Sequence, residues 1–295
     1  MRYLVLPLLL VSVALGAEEA PERPTARVGL GAFIDRYSDA TGSWKGWVLT
    51  GDWFHDDRGP WSFSVVGTQR PEGKGTQFTV AKDHAFGENS GIWASLSAGT
   101  GADFVPSFRG DVDLTLGVSG PWEFGVEGAW SRFRGGSTTT LFQAGPGWVG
   151  EVWSASARVQ QMRYLPEQDS DTGYLLNLRW GARNLSRWHS VRVGWGQGIL
   201  DSLQPGGSNS TITGYYGGSR TGGGWGHGPG SGGTGASTTA TSTGIVYPSL
   251  NEFILTTTSH IPFSKRFAIR VDLGWGQRES QFKMWTGSVQ TLISF

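Results

Sequence analysis

The sequence predicts an all-β fold: a single antiparallel up-and-down transmembrane β-barrel of about fourteen strands, within a range of roughly 12–16. Three observations predict it. The first is the last stretch, Gln281 to Phe295, which alternates Trp285, Gly287, Val289, Thr291, Ile293 and Phe295 on one face with Thr286, Ser288, Gln290, Leu292 and Ser294 on the other. That is the period of a strand with one apolar and one wet face. A strand ending on an exposed aromatic is an aggregation hazard in a soluble sheet. In a barrel it is the closing strand, paired with the first, with its aromatic at the lipid–water boundary. The second observation is that such alternating segments recur along the whole chain between turn residues. The third is composition: 47 Gly, 15 Trp and 15 Phe with 16% charged residues, following an export signal.

That signal opens the chain. Met1-Arg2, the apolar run Tyr3 to Leu15 and Gly16-Ala17-Glu18 read as a secretory signal peptide over residues 1–17, too short to span a bilayer as an anchor. Residues 18–26, polar and Pro-bearing, form a short periplasmic lead-in. The barrel takes residues 27–295. There is no Cys, which excludes a lipoprotein, a disulfide framework and a thiolate metal site. The formal net charge of zero argues against nucleic acid as a partner. The expected location is the cell outer membrane of a Gram-negative-type envelope, with outer-membrane lipid as partner. The C-terminal aromatic strand resembles the signal read by the barrel-insertion machinery, which becomes a second expected partner.

Strands are expected near residues 27–37, 43–54, 60–69, 75–85, 91–100, 109–119, 121–133, 138–146, 148–163, 172–183, 186–199, 247–259, 265–278 and 281–295. An even number suits a bacterial single-chain barrel, whose periplasmic turns are short and outer loops longer. With the N-terminus inside, the outer connections include Thr100–Phe108, Arg163–Asp171 and Leu200–Val246. The inner ones include Ser119-Gly120, Ala144–Gly147 and Asn184–Ser186, all tight. Residues 200–246 are dominated by Gly, Ser and Thr and bury too little apolar surface to fold alone. They are expected as an extracellular loop. Tyr215, Tyr216, Trp225 and His227 there could contact a surface ligand, while a flexible solvated loop is the plainer reading.

Aromatics fall at girdle spacing. Trp122 and Trp130 share a face of the seventh strand and Phe267 and Trp275 a face of the thirteenth. Trp188 and Trp195 stand nearly as far apart on the eleventh. Eight residues at ~3.3 Å rise and ~40° tilt span on the order of 20 Å, close to the ~25 Å apolar band. With Phe295 these residues are the expected aromatic girdles. If apolar faces meet lipid, the opposite faces line the lumen. They carry an acidic wall of Asp111, Asp113, Glu123 and Glu127 and a basic wall of Arg158, Arg179, Arg192 and Arg270, with Asp272 beside the last. Two readings stay open: a transverse field that sorts solutes by charge, or ion pairs that fill the lumen, favoured for most of these residues.

The sequence predicts no catalytic residues, no metal site and no cofactor. None of His55, His84, His189, His227 and His260 stands in a HExxH spacing. His55-Asp56-Asp57 lies in the first inner turn. His189 and Ser190 are adjacent in a strand and point to opposite faces. Ser259-His260 reads as a turn, and His227 lies in the loop, where preorganisation is poor. Arg109-Gly110-Asp111 spells an adhesion tripeptide that a strand start explains as well.

Several patches, in matching order over most of the mature chain, resemble the YaiO-type outer-membrane β-barrel proteins. They are Arg36-Tyr37-Ser38-Asp39 with Trp44, Gly75-Thr76-Gln77, Pro106-Ser107-Phe108-Arg109, the run from Trp122 to Gly128, Gly145 to Trp153, Leu178-Arg179-Trp180, and Gly194 to Gly198. Pro-x-x-Arg followed by Trp-Glu-x-Gly is the most specific. The resemblance implies an outer-membrane barrel and, from related barrels, exopolysaccharide-export components as partners. The expected function is a non-enzymatic, porin-like barrel with a role in solute or exopolysaccharide passage. The alternatives are a surface adhesin or receptor acting through residues 200–246, and a barrel-type surface hydrolase.

Overall fold

The computed structural model describes residues 24–295 except 39–42, 56–58, 72, 87–89, 103–104, 151, 166–168, 182–186, 198–250, 265 and 280–281. The signal peptide, most of the lead-in and the Gly/Ser/Thr-rich loop therefore lie outside the described residues. Fourteen strands follow one another: β1 Ala26–Tyr37, β2 Ser43–Trp53, β3 Trp61–Arg70, β4 Gly73–Ala85, β5 Gly91–Gly101, β6 Phe108–Ser119, β7 Trp122–Arg132, β8 Thr138–Val149, β9 Trp153–Leu165, β10 Asp169–Gly181, β11 Trp188–Gly196, β12 Glu252–Pro262, β13 Phe267–Arg278 and β14 Phe282–Ser294. Each pairs antiparallel with the next, and β14 returns to β1 from Arg27↔Ser294 to Tyr37↔Met284, closing the barrel. Closure leaves no strand edge unpaired, as a bilayer core without water demands.

Alternation decides which face is which. Along β1, Arg27, Gly29, Phe33 and Asp35 are buried while Val28, Leu30, Ala32 and Ile34 are exposed. The exposed set runs around the barrel as a nearly unbroken apolar surface that includes Leu96, Val112, Phe142, Val159, Leu176 and Val289. Such a surface needs lipid against it, and the protein is a membrane-spanning β-barrel. No helix among the described residues is long and apolar enough to cross a membrane; the strands do the crossing. Exposed aromatics gather near both ends of the strands. Trp53, Trp61, Trp122, Trp148 and Trp153 lie at the end carrying the termini, and Trp130, Trp195 and Trp285 at the other, here called the loop end.

Two connections differ from expectation. β8 does not stop at Pro146 but runs to Val149, so residues 150–152 separate it from β9. Proline lacks an N–H, and the β8–β9 ladder is silent at Gly145 and Pro146, resuming in register at Gly147↔Ser156. Gly145 is required there, because a Cβ would collide with the Ala157 carbonyl. β9 and β10 also extend further than expected, leaving only residues 166–168 between them. The expected turn at Asn184–Ser186 lies outside the described residues. The Ser119-Gly120 turn is tight, and Gly120, at φ 53°, supplies the left-handed residue it needs. β12 runs 252–262, not 247–259, so Ser259 and His260 stand in a strand and not in a turn.

Candidate functional site: the charged inner wall

The inward-facing side chains of β6 to β9 build a continuous polar row. Asp113 sits opposite Glu127, Glu127 opposite Gln143, and Gln143 opposite Gln160. All four are buried. Two carboxylates side by side are unfavourable unless a cation joins them. Arg158 of β9 supplies it, with Nη1 3.2 Å from Glu127 Oε2 and 3.3 Å from Asp113 Oδ2. Arg158 must reach past two strands to do so. Glycine makes the reach possible: Gly125 and Gly145 pair across β7 and β8, and a Cβ on Gly125 would stand 2.6 Å from Arg158 Nη2. The guanidinium thus lies in a trough of missing side chains. Gln143 Nε2 donates to Gln160 Oε1 at 2.9 Å. Asp111 accepts from Arg109 Nε at 2.8 Å and from Ser95 Oγ at 3.1 Å. Glu123 lies against Gly147, where a Cβ would strike its carboxyl.

Across the barrel, β10 to β13 carry arginines in different company. Arg192 Nε donates to Asn177 Oδ1 at 2.7 Å, and Asn177 Nδ2 donates to Ser156 Oγ at 3.3 Å. Arg179 lies over the Trp188 ring at 4.4 Å from its centroid. Arg270 Nη2 is 3.0 Å from Asp272 Oδ1, and Asp272 also accepts from Thr258 and Ser288 at 2.7 Å each. Arg158, expected on the basic wall, is joined by ion pairs to Asp113 and Glu127 of the acidic wall.

Trp188 is corrected by the structure. It stacks on His260 with centroids 5.9 Å apart and planes 4° from parallel, and is buried. Seven residues separate it from Trp195, an odd step, so the two face opposite ways. Trp195 is exposed and stacks on Tyr174. Trp122, Trp130, Phe267 and Phe295 are exposed, and Trp275 lies between Phe253 and Trp285.

Other pairs carry no signal beyond inward parity. Arg109 and Asp111 are two residues apart on one face, which turns the apparent adhesion tripeptide into a buried ion pair. Arg27 meets Asp52 at 3.2 Å, and Ser62 donates to the same carboxylate at 2.7 Å. Arg278 bonds Glu252 through Nε at 2.6 Å. His189 points away from Ser190 but meets Ser259 of β12, Nδ1 to Oγ 3.0 Å, among the outward positions. Among the described residues no group of three or more His, Asp or Glu side chains could hold a metal ion.

The closed barrel is similar in fold to the CymD monoaromatic hydrocarbon channel, with a TM-score of 0.54 and 10% identity over 92% of this chain and 89% of that one. It is similar again to the toluene transporter TodX of P. putida, with a TM-score of 0.51 and 10% identity over 92% and 90%. At that identity the likeness is one of fold alone. Comparison with curated proteins finds no match. The model of the YaiO membrane beta barrel domain matches residues 25–198, from before β1 to the end of β11, and the chain belongs to that family.

Proposed function

We propose that this protein is a non-enzymatic pore that passes small polar or saccharide solutes across the outer membrane and sorts them by charge. The termini stand on the periplasmic side and residues 200–246 outside. The observation that carries this reading is the division of the inner wall. Asp111, Asp113, Glu123 and Glu127 lie on β6 and β7, whereas Arg179, Arg192 and Arg270 lie on β10, β11 and β13. Opposite charges on facing walls set up a transverse field, which low-dielectric surroundings focus on a passing solute. Arg158 ties one side of that field together, and Arg192, whose Nε donates to the Asn177 amide oxygen, stands on the other.

Planar-bilayer recording of the purified full-length chain tests this. Discrete conductance is expected, with Arg192→Gln moving the reversal potential in a salt gradient toward cation preference and Asp113→Asn moving it toward anion preference. A bilayer that stays sealed at every voltage removes the pore, and identical reversal potentials in both variants remove the charge sorting.

A further inference from the structure

The outward faces of the strands carry a charge pattern that the inner wall does not explain. No Asp or Glu stands at an outward-facing strand position among the described residues, whereas seven cations do. Arg36, Lys45, Lys74, Arg132, Arg163 and Lys283 lie at the loop end. The seventh, Lys82, lies toward the other end and donates to the Gly59 carbonyl at 2.8 Å. A lipid-facing charge is costly unless it reaches the interface and finds a counter-charge there. Six of one sign, at one end and with no carboxylate among them, call for an anionic leaflet on that side.

Three of the six converge where the barrel closes. Arg36 on β1 is opposite Ser43 of β2 and Trp285 of β14. Lys45 and Lys283 stand two residues from those partners, the diagonal positions that long side chains bridge at roughly 7–8 Å. All three are exposed. Trp285, opposite Arg36, and Trp47, two residues beyond Lys45 on β2, are also exposed, at 60% and 46%. The result is a cationic triad with two indoles beside it on one strip of wall. Arginine's fork matches a phosphate bidentately, two lysines add point charges, and indoles favour the headgroup level of a bilayer.

We infer that the outer face of β14, β1 and β2 is a binding site for a phosphorylated glycolipid of the outer leaflet, with Arg36, Lys45 and Lys283 on its phosphate and Trp47 and Trp285 against its sugar and upper acyl region. The site lies on the opposite side of the wall from the lumen, so it stands whether or not the pore conducts.

The test uses the full-length protein in phosphatidylcholine nanodiscs, with bound lipid counted by native mass spectrometry. The probes are bis-phosphorylated lipid A, its dephosphorylated form and phosphatidylglycerol. Wild type is expected to retain the phosphorylated glycolipid at least about tenfold more tightly than either other probe. Arg36→Gln/Lys45→Gln/Lys283→Gln is expected to lose about tenfold or more, and Arg132→Gln/Arg163→Gln, on a distant part of the wall, less than about twofold. Unchanged binding by the triple variant overturns the site, as does an equal loss in the Arg132/Arg163 variant. Equal retention of phosphatidylglycerol overturns the assignment to a glycolipid. Should the triple variant fail to fold, Arg36→Gln alone is compared with Lys45→Arg/Lys283→Arg. Loss in the first and retention in the second support the site; the same affinity in both sinks it.

Discussion

Arg158 is the residue on which the inner wall turns, because Asp113 and Glu127 are adjacent, buried and of one sign. Removing one partner of a buried pair leaves the others uncompensated, at a cost of about 3–5 kcal/mol. The lower end applies to Arg158→Met, since the arginine side chain keeps 15% of its exposure. Gly125 offers a second route to the same loss. A Gly125→Val side chain would take the space of Arg158 Nη2 and push the guanidinium off its carboxylates, so the two changes should be strongly non-additive. Urea titration of protein refolded in vesicles, run as a double-mutant cycle, checks it; additive losses would mean that Gly125 serves something else. The sequence makes inward parity readable, and with it the faces of Asp113, Glu127 and Arg158. It does not make the partnership readable, because that depends on register across three strands. The glycine trough was hidden for the same reason: Gly125 lies inside an expected strand and Gly145 in an expected turn, and they become partners only when β7 and β8 are laid side by side.

Single strands are legible where alternation is strict and blurred where a turn residue sits inside one. Pro146 and the flanking glycines mimic a turn, yet β8 carries them, because the ladder to β9 is already broken there and close packing forbids side chains. Trp188 shows the converse. Aromatic content suggested a girdle, but its odd spacing from Trp195 determines its face. Elements also differ in what their outer positions tolerate, and depth governs that. Leu96 lies at the middle of β5 and Val118 near the end of β6, both outward and exposed. Leu96→Lys should cost about 2–4 kcal/mol, and Val118→Lys no more than about 1 kcal/mol, because only the second lysine can snorkel to the interface. The same vesicle titration reads both. Equal costs would place the bilayer midplane elsewhere than the centre of β5.

For the whole molecule, closure is the constraint that made the fold readable. Fourteen alternating segments in lipid must meet end to end, and the pairing of β14 with β1 follows from that requirement without any knowledge of side-chain contacts. Loop lengths were less informative. The connection between β9 and β10 shrinks to 166–168, whereas residues 54–60 separate β2 from β3 at the opposite end, so only residues 197–251 form a connection long enough to argue orientation. The barrel does not need that segment. β11 and β12 pair residue for residue from Trp188↔His260 to Gly196↔Glu252, so the two strand ends it joins already lie side by side and a short loop would serve. Deleting Leu203 to Gly244 shortens the connection about fourfold, which reduces the closure entropy and should stabilise the barrel by about 1 kcal/mol. Strand content by circular dichroism, single-channel conductance and the Arg192-dependent reversal potential should be unchanged. A collapse of conductance would tie the segment to the pore itself. Loss of surface binding with conductance intact would assign the segment a receptor role separable from the barrel.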